Sequence, residues 1–382
     1  MSGSKERERK RPPGWHVARH VGLGYKKTKW AVKRRFGLFA PLQVLAYRSE
    51  GRPSLLRIRG RVVEDRGIEP TAAENTVFRK ISNTVKRLES DEVPGAVVVG
   101  RYGDAEVRDE TDREGFFEIE LELSEEVAPG WHEVEVELVD SIAGQEKHAS
   151  TTAEVLVPHP SAEFAIVSDL DDTVIRTYAT ETWTKIRTLF AHGPATRSMM
   201  DGAAPLYEAL HGGASGGAGN PFFYVSLSGW GLYDLFVEFL DVRGFPKGGM
   251  YLRDVALLEK KSPKLGSHDH KRETILGLMD DYPELPFVLI GDSGQEDPET
   301  YLALAQEQPD RIRAVLVRDV TPPERDREVR RIMQDLNDMG IDAAAAESSI
   351  SLARAAADFE LVAHEAIDEV RRRMVQEGEE GG

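Results

Sequence analysis

Between about residue 37 and residue 160, apolar and polar side chains alternate. Val134, Val136 and Leu138 are interleaved with Glu133, Glu135 and Glu137. Phe117, Ile119, Leu121 and Leu123 are interleaved with Glu118, Glu120 and Glu122. Leu56, Ile58, Gly60 and Val62 alternate with Arg57, Arg59 and Arg61, and Ala96–Val99 adds a short apolar run. A period of two is the mark of strands with one face buried, and Asp-Arg-Glu-Gly and Pro-Gly turns separate them, which predicts an antiparallel β-sandwich. Val77, Ile81, Val85 and Leu88 instead share one face at helical spacing, predicting an inserted helix. This region carries no catalytic grouping, so an accessory role is expected of it.

The pattern changes after Pro158-His159-Pro160, where closely spaced prolines resist both helix and central strand. Short uninterrupted apolar runs now alternate with helical stretches: Phe164–Val167, Phe222–Val225 and Phe287–Ile290. Strands without polar alternation are buried on both faces, so the expected architecture is a doubly wound parallel α/β sheet. Pro323 to Met339 reads as a charged helix and Ser351–Ile367 as an Ala-rich one, with Glu377–Gly382 disordered. The expected division is a basic extension over 1–36, the sandwich over 37–160, and the α/β domain over 161–382.

Charge sharpens this division. Residues 1–36 contain twelve Lys or Arg against two Glu, whereas the whole chain carries −17. The acidic remainder is a poor non-specific partner for nucleic acid. The basic head interleaves Trp15, Tyr25, Trp30 and Phe36 with Lys26, Lys27, Lys29, Lys33, Arg34 and Arg35. That composition suits the headgroup layer of an anionic membrane, and equally a solvated tail docked on the acidic body. The chain has no cysteine, which excludes disulfides, thiol nucleophiles and cysteine-ligated zinc. No apolar run approaches the ~20 residues of a membrane span, and no signal-peptide core is present. The expectation is a cytoplasmic protein with peripheral membrane contact at most.

The candidate chemistry sits at the end of the first buried-type strand. Phe164–Val167 leads directly into Ser168-Asp169-Leu170-Asp171-Asp172-Thr173. In open α/β sheets, ligands bind beyond the carboxyl ends of the strands. Carboxylates two residues apart repel one another, so a cation or a shared proton is expected between them. The arrangement suits phosphoryl transfer through an aspartyl-phosphate, with one Asp attacking, the other trading protons, and Mg²⁺ offsetting the charge.

Asp169-x-Asp171-x-Thr173 resembles motif I of the haloacid dehalogenase superfamily, and three further matches follow in that superfamily's order. Phe222–Ser226 is a strand ending in a hydroxyl, His270-Lys271 opens a helical stretch, and Phe287–Asp297 holds the G-D-x-x-x-x-D pattern. The resemblance implies Asp169 as nucleophile and metal ligand. It implies Asp171 as general acid and base, lending its backbone carbonyl to the metal. Ser226 would bind a phosphoryl oxygen, with Ser228 as its rival, and Lys271 would pair with Asp169 and the phosphoryl group. Lys260, Lys261 and Lys264 compete for the lysine's role. Asp292 is implied as a metal ligand. Asp297 has two roles open to it, an outer metal residue and the N-cap of a helix with Pro298 at its first position. Arg253 and Arg318 each end a short apolar stretch, where they either hold a phosphate group on the rim or form internal Arg–Asp pairs.

Residues ~160–320 also resemble the catalytic domain of the actin-patch-associated phosphatidate phosphatase family. The motifs are Asp169–Ile175, Phe223–Tyr233, Gly244–Gly248 with Leu252-Arg253-Asp254, His270-Lys271, and Gly291–Tyr301. Membership implies Mg²⁺-dependent hydrolysis of phosphatidate to diacylglycerol and phosphate, with Trp230 and Tyr233 near the mouth of the site. One departure is Gly229 before Trp230, where the family usually has proline. The gaps between motifs leave room for only a small cap, such as a helix around Trp183, Ile186, Leu189 and Phe190. A soluble phosphomonoester substrate is the alternative within the same chemistry. A non-catalytic adaptor binding membrane or protein is the alternative outside it.

Overall fold

The computed structural model describes residues 41–64, 92–139, 149–170, 202–253, 267–320 and 323–379. The basic head, the helix expected over 77–88, Asp171 to Thr173 and the cap helix around Trp183 lie outside the described residues, as do Lys260, Lys261 and Lys264.

Eight strands form the N-terminal sheet: β1 (Leu42–Ala46), β2 (Ser49–Arg52), β3 (Leu55–Glu64), β4 (Val97–Tyr102), β5 (Ala105–Glu110), β6 (Phe116–Glu122), β7 (Gly130–Leu138) and β8 (Ser150–Val157). The order is β1-β3-β2-β8-β7-β4-β5, with β6 on β3. The pairings are antiparallel except β2 with β8, which run parallel and make the sheet continuous. The expected sandwich is therefore one sheet whose two halves bury a common core. Ile58 and Val62 from β3, Ile119 and Leu121 from β6, and Val134, Val136 and Val155 from the other half all belong to it. Their alternating partners Glu120, Glu122, Glu133 and Glu135 stay wet, so the period of two is realised as written.

The second sheet is parallel, in the order β11 (Gly249–Arg253), β10 (Phe222–Gly229), β9 (Ala165–Asp169), β12 (Phe287–Asp292), β13 (Ile312–Arg318), β14 (Asp342–Ala346). Both faces are covered. Ile166, Phe222, Tyr224, Val288 and Ile290 point into one core, beside α1 (Ala203–Gly212), α2 (Tyr233–Val242), α6 (Ser349–Asp358) and α7 (Glu365–Glu379). Ala165, Val167, Phe223, Val225, Phe287 and Leu289 point into the other, beside α3 (Ser267–Asp281), α4 (Asp297–Glu307) and α5 (Pro323–Asp338). Each fully buried aliphatic or aromatic side chain contributes about 1.5–3 kcal/mol, which explains why the strands read as unbroken apolar runs.

Two sequence expectations are corrected near the end of the chain. The Ala-rich helix is not continuous, because it stops at Asp358, Glu360 takes φ 58°, and α7 starts afresh at Glu365. Glu377–Glu379, expected to be disordered, continue α7. The charged helix expected from Pro323 runs to Asp338 and buries Val329, Ile332, Met333 and Leu336 at helical spacing. Among the described residues no helix is long and apolar enough to cross a membrane.

The N-terminal sheet covers the β11 edge of the parallel sheet. The Met250 amide donates to the Arg48 carbonyl at 3.1 Å, so an edge amide finds a partner across the junction. Arg57 donates to Asp281 on α3, and the Tyr282 hydroxyl donates to the Gly51 carbonyl at 3.1 Å.

Candidate active site

Strand alternation decides where the first carboxylate goes. Val167 faces the core beside α3 and α4, so Asp169, two residues on, is delivered to the same side at the strand tip. Ser168 faces the other layer, where its hydroxyl meets that of Tyr207 at 2.8 Å. Burial pushes the Tyr207 hydroxyl up to about 12, against the opposing effect of that hydrogen bond. It therefore remains a neutral hydroxyl at ordinary pH.

Lys271 reaches Asp169 by an equally simple rule. Lys271, Ile275 and Leu278 fall on one face of α3, and that face is the buried one. The lysine is only 4% exposed, with its ammonium 2.9 Å from Asp169 Oδ1. Its other partner is Asp297 Oδ1. Burial alone would lower the lysine's pKa, but the charges of Asp169 and Asp297 raise it above the ordinary value.

Asp297 opens α4, on the face that continues through Tyr301 and Leu304. The cap position belongs to Glu296, and Asp297 is inside the helix, so the N-cap expected of it is not made. Its side chain turns inward instead. Oδ1 meets Lys271, and Oδ2 accepts the Asp292 amide at 3.2 Å. Burial, together with the nearby charge of Asp169, raises the Asp297 carboxyl well above the usual range, while Lys271 opposes the shift.

Asp292 ends β12, level with Arg318 of β13, and its Oδ1 accepts the Gly294 amide at 2.6 Å. Ligand atoms of Asp169, Asp292 and Asp297 lie within 4.8 Å of one another. Neither carboxylate oxygen of Asp169 accepts a well-directed hydrogen bond among the described residues, although both are sealed from solvent. Buried carboxylate oxygens in that condition, with two more carboxylates close by, fit a hard divalent cation bound through oxygen.

Ser226 lies just past Val225, which is in register with Asp169, and it is fully buried. Its Oγ accepts the Ser228 amide at 3.0 Å, so the two rival serines belong to one turn. Arg318 donates to Ser349 Oγ at 3.0 Å and lines a cavity of about 70 Å³. Leu206, Phe239 and Leu316 also line it, together with Asp169 and Asp292. Asp319 takes the Ser293 hydroxyl at 2.8 Å. Arg253 ends the edge strand β11, opposite Gly229. Trp230 does not line that cavity. It is buried against Tyr47 of the N-terminal sheet, with ring centroids 4.2 Å apart. Asp171 lies outside the described residues.

Several residues of the Gly291–Tyr301 motif have roles that the sequence did not assign. A Cβ at Gly291 would lie 2.8 Å from both Asp297 Cγ and the Tyr301 hydroxyl, so only glycine lets Asp297 approach the strand. The glycine directly preceding Asp292 at a strand end was the available signal. Ser293 ties the β12 tip to the next loop, accepting the Val320 amide at 2.9 Å. Tyr301 donates to the Ile290 carbonyl at 2.9 Å.

With this geometry in place, comparison with known proteins identifies the segment that carries it. The family described as "Phosphatidate phosphatase APP1, catalytic domain" matches residues 164–319. That segment is similar to the APP1 phosphatidate phosphatase catalytic domain. Every candidate residue from Asp169 to Asp297 falls inside the APP1-type segment. The phosphatidate phosphatase APP1 of Saccharomyces cerevisiae is 29% identical over 176 residues, covering 45% of this chain and 29% of the yeast protein. An uncharacterized protein of Schizosaccharomyces pombe is 26% identical over 158 residues, covering 41% of this chain and 25% of that one. The chain thus spans less than a third of either curated relative. A solved carbohydrate acetylesterase from Xanthomonas citri covers 78% of this chain and 75% of its own, at 9% identity and a TM-score of 0.26, too slight a likeness to bear on the fold.

Proposed function

We propose that this protein is a Mg²⁺-dependent lipid phosphate phosphatase that releases phosphate from phosphatidate, leaving diacylglycerol, through a phosphorylated Asp169. The observation that carries the proposal is Asp169 itself. It is a buried carboxylate at a parallel-strand tip, and among the described residues the group that meets its oxygens is a lysine ammonium 2.9 Å away. A carboxylate paired with an ammonium keeps lone pairs available to attack phosphorus.

The roles of the other residues follow from their placement. Lys271 stays charged and is aimed at Asp169, so it stabilises negative charge on the transferring phosphoryl oxygens. Asp297 holds Lys271 in that position and braces the Asp292 amide. The Ser226 turn, with the Ser228 amide, supplies hydrogen bonds to the same oxygens. The motif assigns Asp171 the proton, given to the leaving alkoxide and then taken from the water that cleaves the acyl-phosphate. Asp169 and Asp292 would hold Mg²⁺, with Asp297 beside them. The cation, when bound, neutralises charge between the carboxylates and the phosphoryl group. The family of the catalytic segment supports phosphatidate as the substrate, and the basic aromatic head suits an anionic bilayer.

The deciding experiment is phosphate release from phosphatidate in mixed micelles and from water-soluble monoesters, each with Mg²⁺ and with chelator. Preference for the lipid supports the proposal. Preference for a soluble ester moves the substrate but keeps the chemistry. No release from any of them, with phosphate still bound, would make the chain a binding module and overturn the proposal.

A further inference from the structure

The turn that carries Ser226 is anchored from outside the parallel sheet. Strand β10 leaves its ladder with β11 between Val225 and Gly229, the interval that holds Ser226 and Ser228. Immediately downstream, Trp230 enters a short 3-10 turn and stacks on Tyr47 of the N-terminal sheet, at 4.2 Å and 23°. Phe116 closes a second side of the indole at 6.2 Å. Tyr233 repeats the attachment, because its hydroxyl accepts the Arg48 amide at 2.7 Å and its ring lies 4.7 Å from Tyr47. The Arg48 guanidinium then grips both carboxylate oxygens of Asp241 on α2, at 3.1 and 2.9 Å. Lys247 joins in by pairing with Glu154 of β8, its ammonium 4.3 Å from the Trp131 ring centroid. Residues that read as substrate-facing in the sequence therefore fasten one sheet to the other.

We propose that the N-terminal sheet is a working part of the active site, and that Tyr47 is the positioning residue through which it holds the Ser226–Ser228 turn. Within the ladder a strand is placed by its neighbours, but here the β10–β11 ladder is interrupted, resuming at Gly229 opposite Arg253. Its location is set upstream by the pairing of Val225 with Asp169 and downstream by Gly229 opposite Arg253 together with the seat of Trp230. Tyr47 forms that seat and is only 2% exposed, so the indole has one close-fitting position. Displacing hydrogen-bond donors by about an ångström is enough to reduce a rate on the order of a hundredfold. Donors that meet a phosphoryl group matter most as its charge develops, so a loosened turn lowers kcat more than it raises KM.

The kinetic part of this inference rests on the phosphatase reading; the structural part does not. The test uses the full chain with Tyr47→Ala, the milder Tyr47→Leu, the conservative Tyr47→Phe, and Arg57→Gln as a control. Arg57 joins the same two sheets through Asp281, away from the turn. Turnover with Mg²⁺ and amide hydrogen exchange over residues 227–232 are measured on each folded variant. The expected result for Tyr47→Ala and Tyr47→Leu is a kcat lower by on the order of ten- to a hundredfold, with KM nearly unchanged and faster exchange over 227–232. Tyr47→Phe should restore both, and Arg57→Gln should alter neither. Wild-type exchange over 227–232 in Tyr47→Leu, or an equal loss of turnover in Arg57→Gln, would overturn the proposal. If the wild-type chain hydrolyses no phosphate ester, the phosphatase reading fails, and exchange alone decides whether Tyr47 holds the turn.

Discussion

The backbone of Gly291 lies so close to the carboxylate of Asp297 that no methyl group fits between them. One residue's missing side chain thus sets how near another's charge comes to the strand tips. Gly291→Ala should cost about 1–3 kcal/mol of stability through overpacking. It should also push Asp297 away from Lys271 and the Asp292 amide, weakening cation binding. Thermal melts with and without Mg²⁺ check both effects, and a variant with normal stability and normal response to the ion would contradict the steric argument.

Asp169→Asn keeps the shape of the side chain while removing its charge and its nucleophilic oxygen. Phosphate release should fall by at least ~10³-fold, with the melting temperature little changed or raised. Measuring release over long incubations, with chelator as the blank, distinguishes slow turnover from none. Ordinary turnover would remove Asp169 from the nucleophile's role.

Lys271 carries the pH prediction. Its folded pKa is raised, so the ion cluster's contribution is complete below the unfolded lysine value of about 10.4 and disappears only as pH climbs through the higher folded value. No alkaline decline in wild-type stability below about pH 10 should trace to this group. Replacing it is different. In Lys271→Met the Asp297 carboxyl, already raised by burial and by Asp169, loses the cation that opposes the shift. A group with a raised folded pKa stabilises at low pH and ceases to as pH rises. The variant should therefore gain stability relative to wild type as pH is lowered through the range in which that carboxyl takes up its proton. Its activity should drop on the order of 10²–10³-fold. Denaturant titrations across that range, with parallel rates, test the pair of statements.

Mg²⁺ binding to the folded chain alone should appear as a shift in stability. At roughly one hundred times its Kd, the ion should add about 2.7 kcal/mol. Asp292→Asn should abolish most of that gain while leaving the unliganded protein near its original stability. Scanning calorimetry with Mg²⁺ and with chelator measures the difference, and an unchanged gain would exclude Asp292 as a ligand.

The basic head is testable apart from the catalytic segment. Removing residues 1–36 takes away twelve Lys or Arg and should reduce co-sedimentation with anionic liposomes. The binding of the full chain should weaken as salt rises, because exposed charges are screened beyond about 10 Å at 0.1 M. Equal sedimentation of the two forms would make the head a passive extension.

The candidate site was legible because each member stands at a fixed offset from an apolar pattern. Asp169 and Asp292 end runs that can only be strands buried on both faces. Lys271 lies on the stripe that continues through Ile275 and Leu278. Once the strands are parallel neighbours, their tips must converge. Asp297 was half legible, since its place at a helix start was visible but the inward turn of its side chain was not. That turn depends on Gly291 leaving space and on Lys271 supplying charge, and both come from other elements.

What the sequence determined alone was most of the elements, the two kinds of sheet and the carboxylates at the strand tips, because periodicity and burial act over a few neighbouring residues. Tertiary structure decided where the aromatic residues of the second motif would go. An indole is satisfied by any apolar surface of the right shape, and local pattern does not distinguish a lipid from another sheet. The partners chosen here, Arg48 and Tyr233, are 185 positions apart in the chain, a distance across which only the folded backbone can bring them together.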